Sequence, residues 1–196
     1  MRKILIFALA LLLLSCLAFG GQIRIPRNAL KYRALLRHEV MLQWPGSELA
    51  VMAAQVHQES AWNPGARSRY AGGLAQFTPS TQDFAQTKDP ELARINDVFN
   101  PKWAMRALVW YDKWLWGRCA WTEDKTERWA FTLAAYNGGL GWVRKERAES
   151  IRRGKDGRFW FESVETVCLR SPASCHENRQ YPRRILLVLR PLYEGF

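Results

Sequence analysis

The chain has 196 residues, 48% of them hydrophobic, which is enough for one well-buried core and short for two, so a single domain is expected. A formal net charge of +11 points to a polyanionic partner: nucleic acid, anionic lipid or cell wall. No useful strand alternation, internal repeat or low-complexity tract is present, which excludes sheet-rich, solenoid and disordered classes and leaves an all-α domain.

Met1-Arg2-Lys3 precedes an apolar run from Ile4 to Leu14, and Ala18-Phe19-Gly20 offers small residues at the spacing a signal peptidase cuts. Residues 1–21 therefore read as a secretory signal peptide, which places the chain in the periplasm or cell envelope. The run is short for a membrane-spanning helix, and an uncleaved anchor is the alternative. Leu13-Leu14-Ser15-Cys16 also resembles a lipoprotein cleavage box, so membrane attachment through Cys16 stays open. Loss of Arg2 and Lys3 with the leader takes the net charge from +11 to +9.

From Asn28 to Met41, Leu30, Leu35, Leu36 and Val40 recur at helical spacing, up to a break at Trp44-Pro45-Gly46. Ser47 is expected to cap the next helix, Glu48 to Ala61, which Asn63-Pro64 stops. Thr78-Pro79, Asp89-Pro90 and Asn100-Pro101 each open a helix: one through Gln86, one through Arg94, and a long one. Ala104, Ala107, Leu108, Tyr111 and Leu115 form a face of the long helix; Trp103, Trp110 and Trp114 share a neighbouring face and read as core packing. Glu123 to Tyr136 is a helix stopped by Asn137-Gly138-Gly139, and Leu140 to Arg152 is another. A short helix over Phe159 to Val167 and a last one over Tyr181 to Leu192 complete the chain.

Without the leader, three cysteines remain. Cys168 and Cys175 can close the short Leu169 to Ser174 loop as a disulfide in an exported protein, leaving Cys119 over. No metal is expected. Cys168, Cys175 and His176 lack the paired short spacings of structural zinc sites. His57-Gln58-Glu59 is not followed by the Pro-Cys-x-x-Cys of a zinc deaminase, and no second histidine follows His38-Glu39 one turn on.

Chemistry concentrates in three separated segments. Glu59 sits at the end of an Ala-rich apolar helix, where burial raises a carboxylic acid's pKa toward the range a general acid needs. Behind it, Gly72-Gly73 allows close backbone approach to a ligand, and the Gln76 amide suits a sugar. Ala135-Tyr136-Asn137-Gly138-Gly139 makes a polar helix tip, and Glu177-Asn178-Arg179-Gln180-Tyr181 a polar cluster before the last helix.

Glu59-Ser60, Asn63-Pro64-Gly65-Ala66-Arg67-Ser68, Gly73-Leu74-Ala75-Gln76, Ala135-Tyr136-Asn137 and Glu177-Asn178-Arg179-Gln180-Tyr181 occur in the order found in the soluble-type lytic transglycosylases. The chain resembles the catalytic domain of that family over residues 30–192. The resemblance implies a lysozyme-like helical domain with a substrate groove over residues 22–196, no cofactor, and peptidoglycan glycan strands as substrate. It implies cleavage of the β-1,4 bond between N-acetylmuramic acid and N-acetylglucosamine. Glu59 would protonate the glycosidic oxygen, then take the proton of the muramic C6 hydroxyl as that oxygen closes on C1 to give a 1,6-anhydro end. One acid suffices because the substrate supplies its own nucleophile, unlike the two carboxylates of ordinary glycosidases. Ser68, Gln76, Tyr136 and Asn137 would line the sugar subsites, Tyr181 would stand near Glu59, and Glu177 would hold local polar groups. Ser60 would orient the loop.

This sequence departs from the family pattern in places. Ala75 replaces a methionine, which is expected to widen one wall of the groove; Asn178 replaces a threonine, and Pro182 follows Tyr181. A goose-type muramidase that adds water, and an inactive peptidoglycan-binding assembly protein, are the alternatives. Nucleic acid is disfavoured by the export signal and by the lack of a recognition motif. Wall remodelling and service to a secretion, conjugation or phage machine are all compatible contexts.

Overall fold

The Ala-rich segment Leu49–Ser60 has small side chains on all sides, so neighbouring elements can close around it. In the computed structural model, which describes residues 23–196, Val51 to Val56 are all fully buried. The proposed leader and Cys16 lie outside the described residues. In chain order the helices are α1 (Arg27–Gln43), α2 (Leu49–Ser60), α3 (Pro79–Gln86), α4 (Pro90–Ile95), α5 (Pro101–Trp116), α6 (Lys125–Gly138), α7 (Leu140–Arg152) and α8 (Pro172–Arg183). A π-helical segment (Arg184–Leu189) and a 3-10 turn (Arg190–Tyr193) continue α8. Among the described residues there is no sheet, only isolated bridges pairing Gly72 with Arg67 and Phe77.

Side-chain caps with proline at the first helical position set several starts. The oxygens of Thr78, Asp89 and Asn100 accept from the backbone N–H groups of Thr81, Glu91 and Lys102 at 3.3, 2.9 and 2.9 Å. Asp124 caps α6 in the same way, through Glu127 N–H. The cap expected at Ser47 is not formed: α2 begins after Glu48, and Ser47 Oγ is buried without a partner. Ser171-Pro172 repeats the cap–proline pair, and α8 starts there rather than at Tyr181. The cluster Glu177 to Tyr181 therefore lies inside a helix, not ahead of one. The helix expected over Phe159 to Val167 reduces to a 3-10 turn at Val164–Thr166. Glu127 draws that segment in, accepting from Trp160 N–H at 2.6 Å and Phe161 N–H at 3.2 Å, so the chain is held without a full helix.

Two buried helices organise the rest. α2 packs on α1 and on the C-terminal π and 3-10 turns; α6, buried from Trp129 to Ala135, packs on α5, α7 and α8. Trp129 Nε1 donates to Glu48 Oε1 at 3.1 Å and links the two. Trp103 is fully buried, whereas Trp110 and Trp114 are half-buried. Cys168 and Cys175 are joined, and Cys119 is a free thiol in the core.

The loop between α2 and α3 depends on glycine for an internal reason. Gly73 has φ +78°, and a Cβ there would stand 1.9 Å from the Val98 carbonyl oxygen; a Cβ on Gly72 would strike the Phe99 ring. Both glycines are buried, so they admit the 96–100 segment and not a ligand, contrary to the expectation from sequence. Gly73→Ala is expected to destabilise by more than about 2 kcal/mol, against about 1 kcal/mol for Gly46→Ala, which shares a positive φ but has open space around it. Paired urea unfolding curves measure the difference; equal losses would show that the Val98 contact is not what Gly73 serves.

Candidate active site

Glu59 is presented by the way α2 ends. Ala61 and Trp62 both adopt left-handed backbone (φ +48° and +62°), a conformation that strains side-chain-bearing residues. The strain is held by an anchor. Trp62 is fully buried against Tyr193 and Phe196, and its Nε1 donates to Tyr193 Oη at 2.8 Å. Tyr193 Oη is also hydrogen-bonded to His57 Nδ1, 3.0 Å away. Burial, then the Arg184 charge, lower the His57 pKa and favour the neutral ring. From the same helix end, Ser60 Oγ donates to Leu74 O at 2.9 Å and ties down the following loop.

Glu59 lies in a cleft of about 680 Å3. Ser68, Gln76, Tyr136, Asn137, Glu177 and Tyr181, the other candidate residues read from sequence, line the same cleft. Tyr181 donates its hydroxyl to Glu59 Oε1. Burial pushes the Glu59 pKa up to about 8; the Tyr181 bond opposes the rise and the Glu177 charge adds to it. Tyr136 stacks parallel to Tyr181 at 6.5 Å and donates to Ala75 O at 2.7 Å. Burial keeps both phenols well above their ordinary pKa, so they remain donors.

Most other polar groups of the cleft are already engaged in building it. Ser68 Oγ accepts from Ala71 N–H at 3.0 Å, and Gln76 Nε2 donates to Ala66 O and Gly73 O at 3.2 and 2.9 Å. The Gln76 amide thus turns only its oxygen to a ligand, a narrower role than expected. Ala75 is 1% exposed and does not line the cleft, so its small side chain does not widen the groove. Asn137 Nδ2 donates to Glu177 Oε1 at 3.3 Å.

Two residues were given no role by the sequence. Asn178 is buried and fully bonded: it donates to Ala134 O and Asn137 Oδ1 at 2.8 and 3.0 Å and accepts from Arg170 at 2.8 Å. Arg170 in turn pairs with buried Glu146, so this network fixes Asn137 from behind. Gly138 leaves room for it, since a Cβ there would lie 2.5 Å from Asn178 Nδ2. The second is Asp112, fully buried on the cleft-lining helix α5 next to Tyr111. Gln55 Nε2 donates to Asp112 Oδ1 at 3.3 Å, while Asp112 Oδ2 and Gln55 Oε1 find no donor. Burial raises the Asp112 pKa strongly, which favours the neutral acid over a charge buried with so few partners. A polar residue at a core position of an amphipathic helix was the available signal. Among the described residues no cluster of three or more His, Cys, Asp or Glu could hold a metal ion.

A raised carboxyl pKa has a defined effect on stability. Unfolded, Glu59 ionises near pH 4.5; folded, it keeps its proton to about pH 8, so wild-type stability falls across that window. Glu59→Gln removes this loss. The variant should match wild type below pH 4.5 and exceed it by about 2 kcal/mol above pH 8, after allowance for solvent screening in an open cleft. Thermal unfolding from pH 4 to pH 9 measures this; a pH-independent difference would contradict the burial of Glu59.

Residues 40–159 match the family model described as the transglycosylase SLT domain. Relatives named membrane-bound lytic murein transglycosylase F include one from Maricaulis maris, 28% identical over 162 residues, which covers 81% of this chain and 33% of the relative. One from Pasteurella multocida is 34% identical over 120 residues (61% and 23%), and one from Shewanella frigidimarina 28% identical over 131 (66% and 26%). The chain thus spans a third or less of the length of these relatives. Tyr181, the residue bonded to Glu59, lies beyond the segment matched by the family model. With a helical fold, a cleft built around one buried glutamic acid and a family match over most of its described length, the chain belongs to the transglycosylase SLT domain family.

Proposed function

We propose that the chain is a peptidoglycan lytic transglycosylase that cuts the bond between N-acetylmuramic acid and N-acetylglucosamine and leaves 1,6-anhydro ends. The observation that carries this reading is a single acid, Glu59, raised to about pH 8 by burial and bonded to one phenol donor. At neutral pH it holds the proton that the glycosidic oxygen needs. As the C1–O bond breaks, that proton leaves with the departing sugar and Glu59 becomes a carboxylate. The Tyr181 hydroxyl then steadies the charge. Glu59 next removes the proton of the muramic C6 hydroxyl while the oxygen closes on C1, and the acid is restored with no water consumed. A hydrolytic route asks for a second carboxylate to position water. Glu177 is the other acid lining the cleft, and it is hydrogen-bonded to Asn137; Asp112 is buried and neutral.

In this reading the half-buried rings of Tyr111 and Tyr136 offer faces to the sugars, and Ser68, Gln76 Oε1, Asn137 and Glu177 offer polar contacts. Export through residues 1–21 and attachment to the envelope are part of the proposal, supported by the basic-then-apolar start of the chain. Among the described residues no helix is long and apolar enough to cross a membrane. Mass spectrometry of digested sacculi tests the chemistry. Anhydro ends, one water lighter than reducing ends, are expected from the wild type. Glu59→Gln should lower the rate by at least about a thousandfold. Reducing ends alone would replace this reading with a muramidase, and full activity of the variant would remove Glu59 from the mechanism.

A further inference from the structure

The face of α8 toward the cleft carries Glu177, Gln180, Tyr181 and, one turn on, Arg184. Among the described residues Arg184 is the only lysine or arginine lining the cleft, although the full sequence has 29 of them. It is exposed, and among the described residues its side chain has no carboxylate partner and makes no hydrogen bond. Its neighbour Arg183 is the opposite case, held by Glu162 and Glu165. The backbone changes here. Pro182 lacks the N–H that would bond the Asn178 carbonyl, and the helix widens into a π-turn that begins at Arg184.

The cleft thus holds a cation without a carboxylate partner, while Glu59 itself is neutral at pH 7. A glycan stripped of its stems offers hydroxyls, acetamides and the short lactyl carboxylate of muramic acid. A peptide attached through that lactyl carboxyl replaces its charge with carboxylates farther from the sugar. We infer that Arg184 is a specificity residue of the cleft: it takes a carboxylate of the peptide stem on the muramic acid bound beside Glu59. This rests on the proposed substrate class and adds that the chain prefers peptide-bearing strands over bare or amidated ones. A guanidinium–carboxylate pair at an open rim is directional but screened, so the preference is expected to shrink with added salt.

Binding by catalytically disabled protein separates this inference from the catalytic one, because it needs no turnover. Glu59→Gln and the double variant Glu59→Gln/Arg184→Gln are titrated calorimetrically with three soluble strands of equal length. One carries native stems, one carries stems whose carboxylates are amidated, and one is stripped by an amidase to the bare lactyl carboxylate. Glu59→Gln should bind native stems about tenfold more tightly than either other strand, and the double variant should lose that margin to within about twofold. Equal margins in the two variants would overturn the inference. Tightest binding to the stripped strand would also overturn it, because Arg184 would then be reading the lactyl carboxylate. Because Arg184 is exposed and unpaired, unfolding midpoints of the two variants should agree, which ties any lost margin to binding. A wild type that binds native stems with the expected preference yet yields no anhydro ends would refute the catalytic reading alone.

Discussion

Burial of one carboxyl group governs much of this molecule. Glu59 sits where α2 ends, with its core-facing side closed by fully buried residues and its outer side open to a cleft. Desolvation opposes its charge more strongly than the Tyr181 hydroxyl favours it, so the acid form prevails to about pH 8. Keeping it there requires α2 to stop abruptly and the chain to leave at a steep angle. Two consecutive left-handed residues make that exit, and Trp62, driven into the Tyr193–Phe196 cluster, holds it. The C-terminal turns thereby reach the site from behind, through the Trp62–Tyr193–His57 chain of hydrogen bonds.

The cleft around Glu59 is shaped by polar groups that bond one another. Ser68 and Gln76 fold the loop after α2, Tyr136 ties α6 to that loop through Ala75, and Asn178 with Arg170 and Glu146 fixes the tip of α6. Groups that still line the cleft toward a ligand are Ser68, Gln76 Oε1, Asn137, the tyrosine rings, Glu177 and Arg184. Rigidity obtained this way suits the proposed reaction, in which one acid acts twice in one geometry, first as donor and then as base. The neutral Asp112–Gln55 pair under the cleft fits the same logic. An ionised Asp112 would add a second negative charge near Glu59 and push its pKa further from use.

Much of this was legible in the sequence, for physical reasons. Helix starts at Thr78-Pro79, Asp89-Pro90 and Asn100-Pro101 are local chemistry, because a side-chain oxygen and a proline suffice to specify them. Glu59 stood out because a carboxylate closing an Ala-rich helix must be partly desolvated. The start of α8 at Ser171-Pro172 carried the same local signal and was obscured by the nearby disulfide loop and the polar cluster. Other features were not local. The role of Gly72 and Gly73 depends on the 96–100 segment, over twenty residues away, and the hydrogen-bonding duties of Asn178 depend on α6. The burial of Ala75 follows from packing that no neighbouring residue announces.

The protonation state of Glu59 can be read directly. Carbon-13 labelling of glutamate side chains, with Glu59→Gln to assign the signal, follows the Glu59 carboxyl through a titration by NMR. A midpoint near pH 8 is expected, in line with an acid kept neutral by burial and moderated by Tyr181. A midpoint near 4.5, the value of an ordinary solvated glutamate, would contradict the picture of a single buried acid serving as donor and then base.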